Sequence, residues 1–525
     1  MKSKKEGPGE IDNYLKRLVK TSIFVFLSLI LSKIFTYLYR IIIARSFGAE
    51  VYGLYSLAMM VTGILIAFSA LGLGAGILRY FSYYRGKKET SKIKYILRSS
   101  SKILILSSIF FMLFQFFSAE FIAVNLFHDE SLILYLKWFS ITIPLLTIGY
   151  IFIYALKSFE KTNWSSFSEN ISQNLVQFIF IVLLIFLGLR EISIMFSHIA
   201  GAAFLFIIGF IICKYKLPEI FKSYKLNKKE KSKVRKELFN YSWPLMLFTI
   251  ISSFFYWIDT FAIGYFQNTL EVGLYNAAVP IVSLLYIAPT IFVQLLFPLI
   301  TKEYAKKNYN TIKELSKQVT KWILILNLPM LAIMLLFPGT ILNILFGAEF
   351  VTTATENALR LLAIGVFFPA TLFISNNLIS MAGKSKTILL NMVVVAIVNI
   401  VLNILLVPKY GIEGAAFSTM ISSVLLGLMF LLQGKYYLSI VPFRRKMLRI
   451  VLAIIIPSII IFYLRTIIEI NILNVITVAI FFLLIYILSI IVTGCLDRND
   501  IMIIDSFLKG HKNLKGLFHS VEHKV

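Results

Sequence analysis

FGAEVYGLYSLA, residues 47–58, and QNTLEVGLYNAA, residues 267–278, align at an offset of 220. Gly53, Leu54, Tyr55 and Ala58 meet Gly273, Leu274, Tyr275 and Ala278. The same offset pairs Tyr84 with Tyr304 and Lys87 with Lys307, and an offset of 223 pairs Lys161 with Lys384 and Gly188 with Gly411. Apolar segments resemble one another by composition alone. Matched glycines, tyrosines and loop lysines that keep their order do not follow from apolarity, and they predict an internal duplication.

Working outward, the chain has 525 residues, 58% hydrophobic and only 15% charged. Soluble domains run at about 45–50% apolar and about 25% charged, so a soluble fold is excluded. Disorder is excluded too, because disordered chains are poor in apolar residues. Cys213 and Cys495 are the two cysteines and cannot build a disulfide framework. The composition describes an integral membrane protein.

Stretches of about 20 apolar residues are long enough to cross about 30 Å of hydrocarbon. They occur at 21–43, 53–79, 103–125, 132–156, 169–189, 192–213, 241–266, 274–300, 321–346, 357–381, 387–407, 413–434, 446–465 and 471–493. The expectation is an all-α polytopic protein of about 14 transmembrane helices. The first 20 residues are too polar for a signal peptide, so the first span is expected to be retained.

With the N-terminus on one side, the two termini and alternate loops, counted with the span ends that adjoin them, place 43 of the 52 Lys/Arg there and six on the other. Lys/Arg-rich loops stay cytoplasmic, which puts both termini inside. The net charge of +26 is thereby a topology signal, favourable to anionic membrane lipids, and nucleic acid is not the expected partner. The longest basic loop, 214–240, divides twelve spans into an N-lobe (21–213) and a C-lobe (241–434). Before them lies the cytoplasmic segment 1–20. After them come extra spans at 435–493 and a cytoplasmic tail at 494–525. Copies separated by six spans share one orientation and form a parallel repeat, and transporters built this way hold substrate at the repeat interface.

Longer motifs carry a resemblance. FGAEVYGLYSLAMMVTGILIAFSALGLGAGILRYFSYYRGK (47–87), WPLML (243–247), DTFAIGYF (259–266), VGLYNAA (272–278), FPLITKEYAKKN (297–308) and PKYGIEGAAFST (408–419) are present. Together they resemble the oligosaccharide flippases of the polysaccharide biosynthesis type, within the multidrug/oligosaccharidyl-lipid/polysaccharide exporter superfamily. The resemblance covers most of 20–435. It implies two six-helix lobes around a central cavity and a lipid-linked sugar as substrate, with membrane lipids and glycan-assembly enzymes as further partners. The two last spans lie beyond that pattern.

Lys33 and Arg40 stand seven residues apart in the first span, on one helix face. An ionised group inside a bilayer costs about 2.5–3.5 kcal/mol on insertion scales and marks a functional site by default. A cationic pair suits the phosphate or pyrophosphate of a lipid-linked sugar. Asp259 is the one acidic residue deep in a span; the repeat aligns it with Tyr39, and the family signature has an acid there. Arg40 and Asp259 lie at similar depth with opposite charge and form a candidate outer gate.

In the fifth span Glu169, Gln173 and Gln177 recur every four residues, with Asn170 and Asn174 beside them. Such a stripe faces a cavity or another helix, and it offers partners for sugar hydroxyls. Asn399 and Asn403, with Ser375, Asn376 and Asn377, are its second-lobe counterparts. Arg79 ends the second span at the cytoplasmic face, as a phosphate contact or an interfacial anchor.

Pro144, Pro244, Pro280, Pro289, Pro298, Pro329 and Pro369 interrupt spans as points of bending. GLGAG at 72–76 reads as a small-residue packing run. No phosphate-cradling glycine loop is present, so nucleotide hydrolysis is not expected. No cofactor, catalytic residue or metal centre is expected, and the His519/His523 pair is weak metal evidence. Two other readings are kept: a cation-coupled multidrug exporter of the same superfamily, which needs a carboxylate or Na⁺ site such as Asp259, and a membrane glycosyltransferase or polymerase, which needs a sizeable outer loop.

Overall fold

The computed structural model describes residues 8–444, 446–467 and 472–495. The polar N-terminus before residue 8 and the tail beyond residue 495, with His519 and His523, lie outside the described residues. Among the described residues every regular element is helical. Ten helices among the described residues are long and apolar enough to cross a membrane, and two shorter apolar helices, Met447–Tyr463 and Thr477–Val492, follow. Phe117, Phe186 and Val492 are 77%, 92% and 77% exposed, an arrangement that water would penalise and lipid does not. The chain is a multi-pass membrane protein.

Two of the ten helices each account for two expected spans. Pro8–Ser69 breaks at Gly48 (φ 84°, ψ −179°), and Ser385–Leu438 breaks at Gly411 (φ 52°, ψ −133°). These φ values lie where an L side chain is disfavoured and glycine is not. At about 1.5 Å per residue, a helix of 54 residues would far exceed one crossing, so the glycines turn the chain with almost no loop. The expected second span at 53–79 is itself interrupted. Its helix stops at Ser69 and resumes as Leu73–Gly86, after Leu71 and Gly72 at positive φ. A methyl group at Gly72 would stand 2.3 Å from the Ser242 carbonyl oxygen. The GLGAG run therefore serves close approach to the seventh span.

Chain contacts divide the structure into two units. One comprises the described residues up to Ile281 with Leu345–Ala358 and Leu389–Ser422. The other comprises Val282–Ile344, Leu359–Ile388 and the described residues from Ser423 on. In the first unit Leu73, Ile77, Phe81, Ile96 and Phe152 form a core together with Ile220, Val234 and Leu238. The basic loop 214–240 is thus partly built into that core. Its Lys228–Phe266 helix starts with a capping box between Asn227 and Glu230. In the second unit Leu324, Leu328, Met447, Ile450, Phe482 and Tyr486 join the two last spans to the ninth.

A proline in a helix deprives the carbonyl four residues earlier of its donor. In a membrane that carbonyl needs another partner. Pro280 frees Asn276, whose carbonyl accepts from the Tyr52 hydroxyl at 3.3 Å. Pro289 frees Leu285, which accepts from Asn327 Nδ2 at 2.9 Å. Pro329 frees Ile325, which accepts from the Tyr486 hydroxyl at 3.0 Å.

Candidate functional site

The first span presents its polar residues on adjoining faces. Ser32 accepts a hydrogen bond from Asn174 Nδ2 at 2.8 Å, and the Tyr37 hydroxyl donates to the Pro280 carbonyl at 3.1 Å. Lys33 and Arg40 flank Tyr37 at spacings of four and three. Lys33 is exposed and Arg40 half-buried. The Arg40 guanidinium lies against Tyr52, Tyr55 and Tyr256 and is hydrogen-bonded to Tyr52, while its Nε is buried without a partner. Among the described residues no acidic side chain forms an ion pair with Lys33 or Arg40. The result is an uncompensated cationic face bordered by tyrosines, with a donor to spare on Arg40. A doubly hydrogen-bonding guanidinium suits phosphate geometry, and a lysine adds a mobile point charge.

Asp259 sits in a different set. Its Oδ2 accepts from the Tyr275 hydroxyl at 2.6 Å and from the Thr419 hydroxyl, and its Oδ1 accepts from Asn403 Nδ2 at 3.0 Å. Asn399 Nδ2 donates to Thr419 Oγ1 at 3.1 Å, and Asn403 Nδ2 lies 3.1 Å from Asn399 Oδ1. Neutral donors therefore hold the carboxylate and offset its desolvation. Asn403 Oδ1 is buried and unpartnered. Asp259, Asn399, Asn403 and Thr419 thus form one hydrogen-bonded cluster in which Asn403 Oδ1 is the oxygen left over beside the carboxylate.

The two candidate gate residues therefore keep separate partners in this structure. Arg40 and Asp259 do not form an ion pair: Asp259 is engaged by the eleventh and twelfth spans, while Arg40 turns to the tyrosines. The fifth-span stripe is also largely spent on neighbouring helices. Glu169 pairs with Lys157 at 2.6 Å, Asn174 bonds Ser32 and the Asn170 carbonyl, and buried Gln177 bonds His198 Nδ1 at 3.1 Å. A methyl at Gly201 would stand 2.3 Å from Gln177, so the sixth span packs directly on it. Asn170 and Gln173 remain half-buried. Arg79 is exposed and lies over the Tyr241 ring at 4.2 Å, an interfacial cation–π contact. In the second unit the Asn376 Oδ1 is buried without a partner, and Asn377 bonds the Phe373 carbonyl.

The sequence marks Tyr275 as a repeat match but gives neither it nor Thr419 a place beside Asp259. A signal for them exists in the repeat. At the offset of 220, Asp259 and Tyr275 replace Tyr39 and Tyr55, whose rings lie 5.9 Å apart, and Tyr39 reaches Ser197 as Asp259 reaches Thr419.

The family described as polysaccharide biosynthesis protein matches residues 18–304, more than half of the chain. The chain belongs to this family. The MatE family overlaps it, matching residues 244–405. Among relatives of the polysaccharide biosynthesis family member described here, a Shigella flexneri protein named as an O-antigen transporter is 25% identical over 400 residues. The alignment covers 73% of this chain and 89% of that protein. A Haloferax volcanii protein named as a low-salt glycan biosynthesis flippase, Agl15, is 26% identical over 196 residues, covering 37% of this chain and 41% of its own length. The fold is similar to that of the lipid II flippase MurJ in an inward closed conformation, with a TM-score of 0.69, 18% identity, and coverage of 92% of this chain and 100% of that one. An inward-facing multidrug resistance MATE transporter of the MOP superfamily gives 0.65 at 13% identity, over 80% and 98% of the two chains.

Proposed function

We propose that this polysaccharide biosynthesis family member flips a lipid-linked oligosaccharide, on a polyprenyl phosphate or pyrophosphate, across the cytoplasmic membrane by alternating access. The observation that carries the reading is the Lys33/Arg40 face. Two cations on a membrane helix, without a carboxylate partner and with an unused guanidinium donor, are costly unless an anion completes them. A lipid phosphate does so, and the bordering tyrosines offer rings and hydroxyls to the attached sugar. The named activities of the relatives support the same substrate class, and both termini are then cytoplasmic, as the lysine and arginine distribution requires. Glycan-assembly enzymes are the expected suppliers and users of the lipid.

The Asp259 set favours one addition, that a monovalent cation binds there and couples to transport. It does not favour a cationic-drug exporter, because the Lys33/Arg40 face repels such cargo. In proteoliposomes, labelled lipid-linked oligosaccharide should become accessible to an outside probe without added nucleotide. Purified protein that moves cationic dyes and leaves the sugar lipid in place would overturn the proposal.

A further inference from the structure

At the outer ends of the repeat copies, two acidic residues at repeat-equivalent positions each accept a hydrogen bond from the opposite copy, one from a backbone amide and one from a hydroxyl. Glu349 Oε1 accepts from the Ala49 backbone N–H at 3.1 Å. Asp129 Oδ2 accepts from the Thr269 hydroxyl at 2.5 Å. Both relations use the repeat offset: 349 is 129 plus 220, and 269 is 49 plus 220. Each acid belongs to the loop between the third and fourth spans of its own copy, and each reaches the first turn of a helix in the other copy. All four residues lie in the first compact unit.

The local chemistry explains the choice of acids. Gly48 breaks the Pro8–Ser69 helix, so the Ala49 N–H opens a new helical segment and has no donor–acceptor partner within it. A carboxylate there satisfies the amide and meets the positive end of the helix dipole. A methyl at Gly48 would stand 2.9 Å from Glu349 Oε2, so the glycine also makes room for the carboxylate. Asp129 is held in place by its own loop, where its Oδ1 accepts from the Ser131 N–H at 2.9 Å. The same junction is strengthened by Arg45 Nε donating to the Leu345 carbonyl at 3.1 Å.

We propose that Glu349 and Asp129 are paired latches of the outer gate, holding the outer ends of the two repeat copies together while substrate loads from inside, and that both release for the outward-open state. The latches are positioning residues: they touch no substrate and act on the equilibrium between conformations. This inference rests on the alternating-access reading, but its test reads distance and not transport.

Spin labels placed on Arg190→Cys and Lys409→Cys, both exposed outer positions of opposite copies, report the gate by pulsed dipolar spectroscopy. The full chain is used in nanodiscs with Cys213 and Cys495 replaced by alanine. The latched protein should give mainly a short distance. Glu349→Ala or Asp129→Ala should each shift the open-to-closed ratio about tenfold towards a longer distance, the order expected for losing one charge-assisted hydrogen bond, and the double variant should shift it further. Glu349→Gln keeps an acceptor oxygen and should retain most of the short population. Thr269→Val leaves Asp129 in place and removes only its donor; it must act in the same direction as Asp129→Ala, and it carries the test should the acid variants fail to fold. Unchanged distances in folded Glu349→Ala and Thr269→Val protein would overturn the latch. If the distances shift as expected in protein that moves no sugar lipid, the latch stands and the transport assignment fails.

Discussion

Gly53 and Gly273, 220 residues apart, each press on the backbone that precedes the other. A methyl at Gly53 would stand 1.9 Å from the Thr269 carbonyl oxygen, and a methyl at Gly273 would stand 1.9 Å from the Ala49 carbonyl oxygen. The two contacts exchange under the repeat offset, so the copies cross about a local two-fold. Only residues without a side chain permit backbones this close in a membrane, where packing rather than the hydrophobic effect joins helices.

Gly53→Ala and Gly273→Ala should therefore both weaken the outer junction. The obstruction is backbone and cannot rotate away, so each change should cost about 1–3 kcal/mol of overpacking. The expected result is a long-distance population in the spin-label experiment and reduced flipping. A Gly53→Ala protein with wild-type distances and wild-type transport would show that the crossing has slack.

Lys33→Ala should abolish sugar-lipid transport at near-normal expression, and Lys33→Arg should recover part of it, since charge survives but geometry changes. Arg40→Lys should also be partial, losing the fork that a phosphate can span. Flipping assays in proteoliposomes decide the matter; full activity of Lys33→Ala removes that residue from the mechanism.

The separate surroundings of Arg40 and Asp259 predict that their charges are not interchangeable. The Arg40→Asp/Asp259→Arg double swap should transport no better than the worse single variant, because Asp259 would lose Tyr275, Thr419 and Asn403 without gaining Arg40. Recovery in the double swap would restore the gate pairing.

Asp259→Asn keeps the shape of the carboxylate set but removes its charge. If a monovalent cation couples to transport through this set, the variant should lose its dependence on a Na⁺ gradient along with most activity. Thr419→Val should weaken apparent cation affinity with a smaller effect on the maximal rate. Transport by Asp259→Asn that still follows the gradient places the coupling ion elsewhere.

How far the sequence could be read varied with the kind of signal. Hydropathy located fourteen crossings because the bilayer sets a length that the chain must meet, and the Gly-Leu-Tyr match revealed the repeat. Hydropathy did not show that the first and second spans join directly at Gly48, because the break needs one glycine and no polar loop. Polar periodicity in the fifth span identified a face but not its neighbour: Glu169, Asn174 and Gln177 meet Lys157, Ser32 and His198, each distant in sequence. Depth along a helix likewise suggested that Arg40 and Asp259 could meet. Rotation about the helix axis, which depth does not report, directs Asp259 to Thr419 instead.

The carbonyls released by Pro289 and Pro329 bear on the two last spans. The eighth span completes its backbone hydrogen bonding through Asn327 of the ninth, and the ninth completes its own through Tyr486 of the fourteenth. Sliding any of these helices past the next would strand a carbonyl in hydrocarbon, at a cost of about 1–3 kcal/mol each. The three helices are thus coupled like carriages, and any displacement of the ninth would tow the fourteenth with it. Tyr486→Phe uncouples the train without altering its apolar packing.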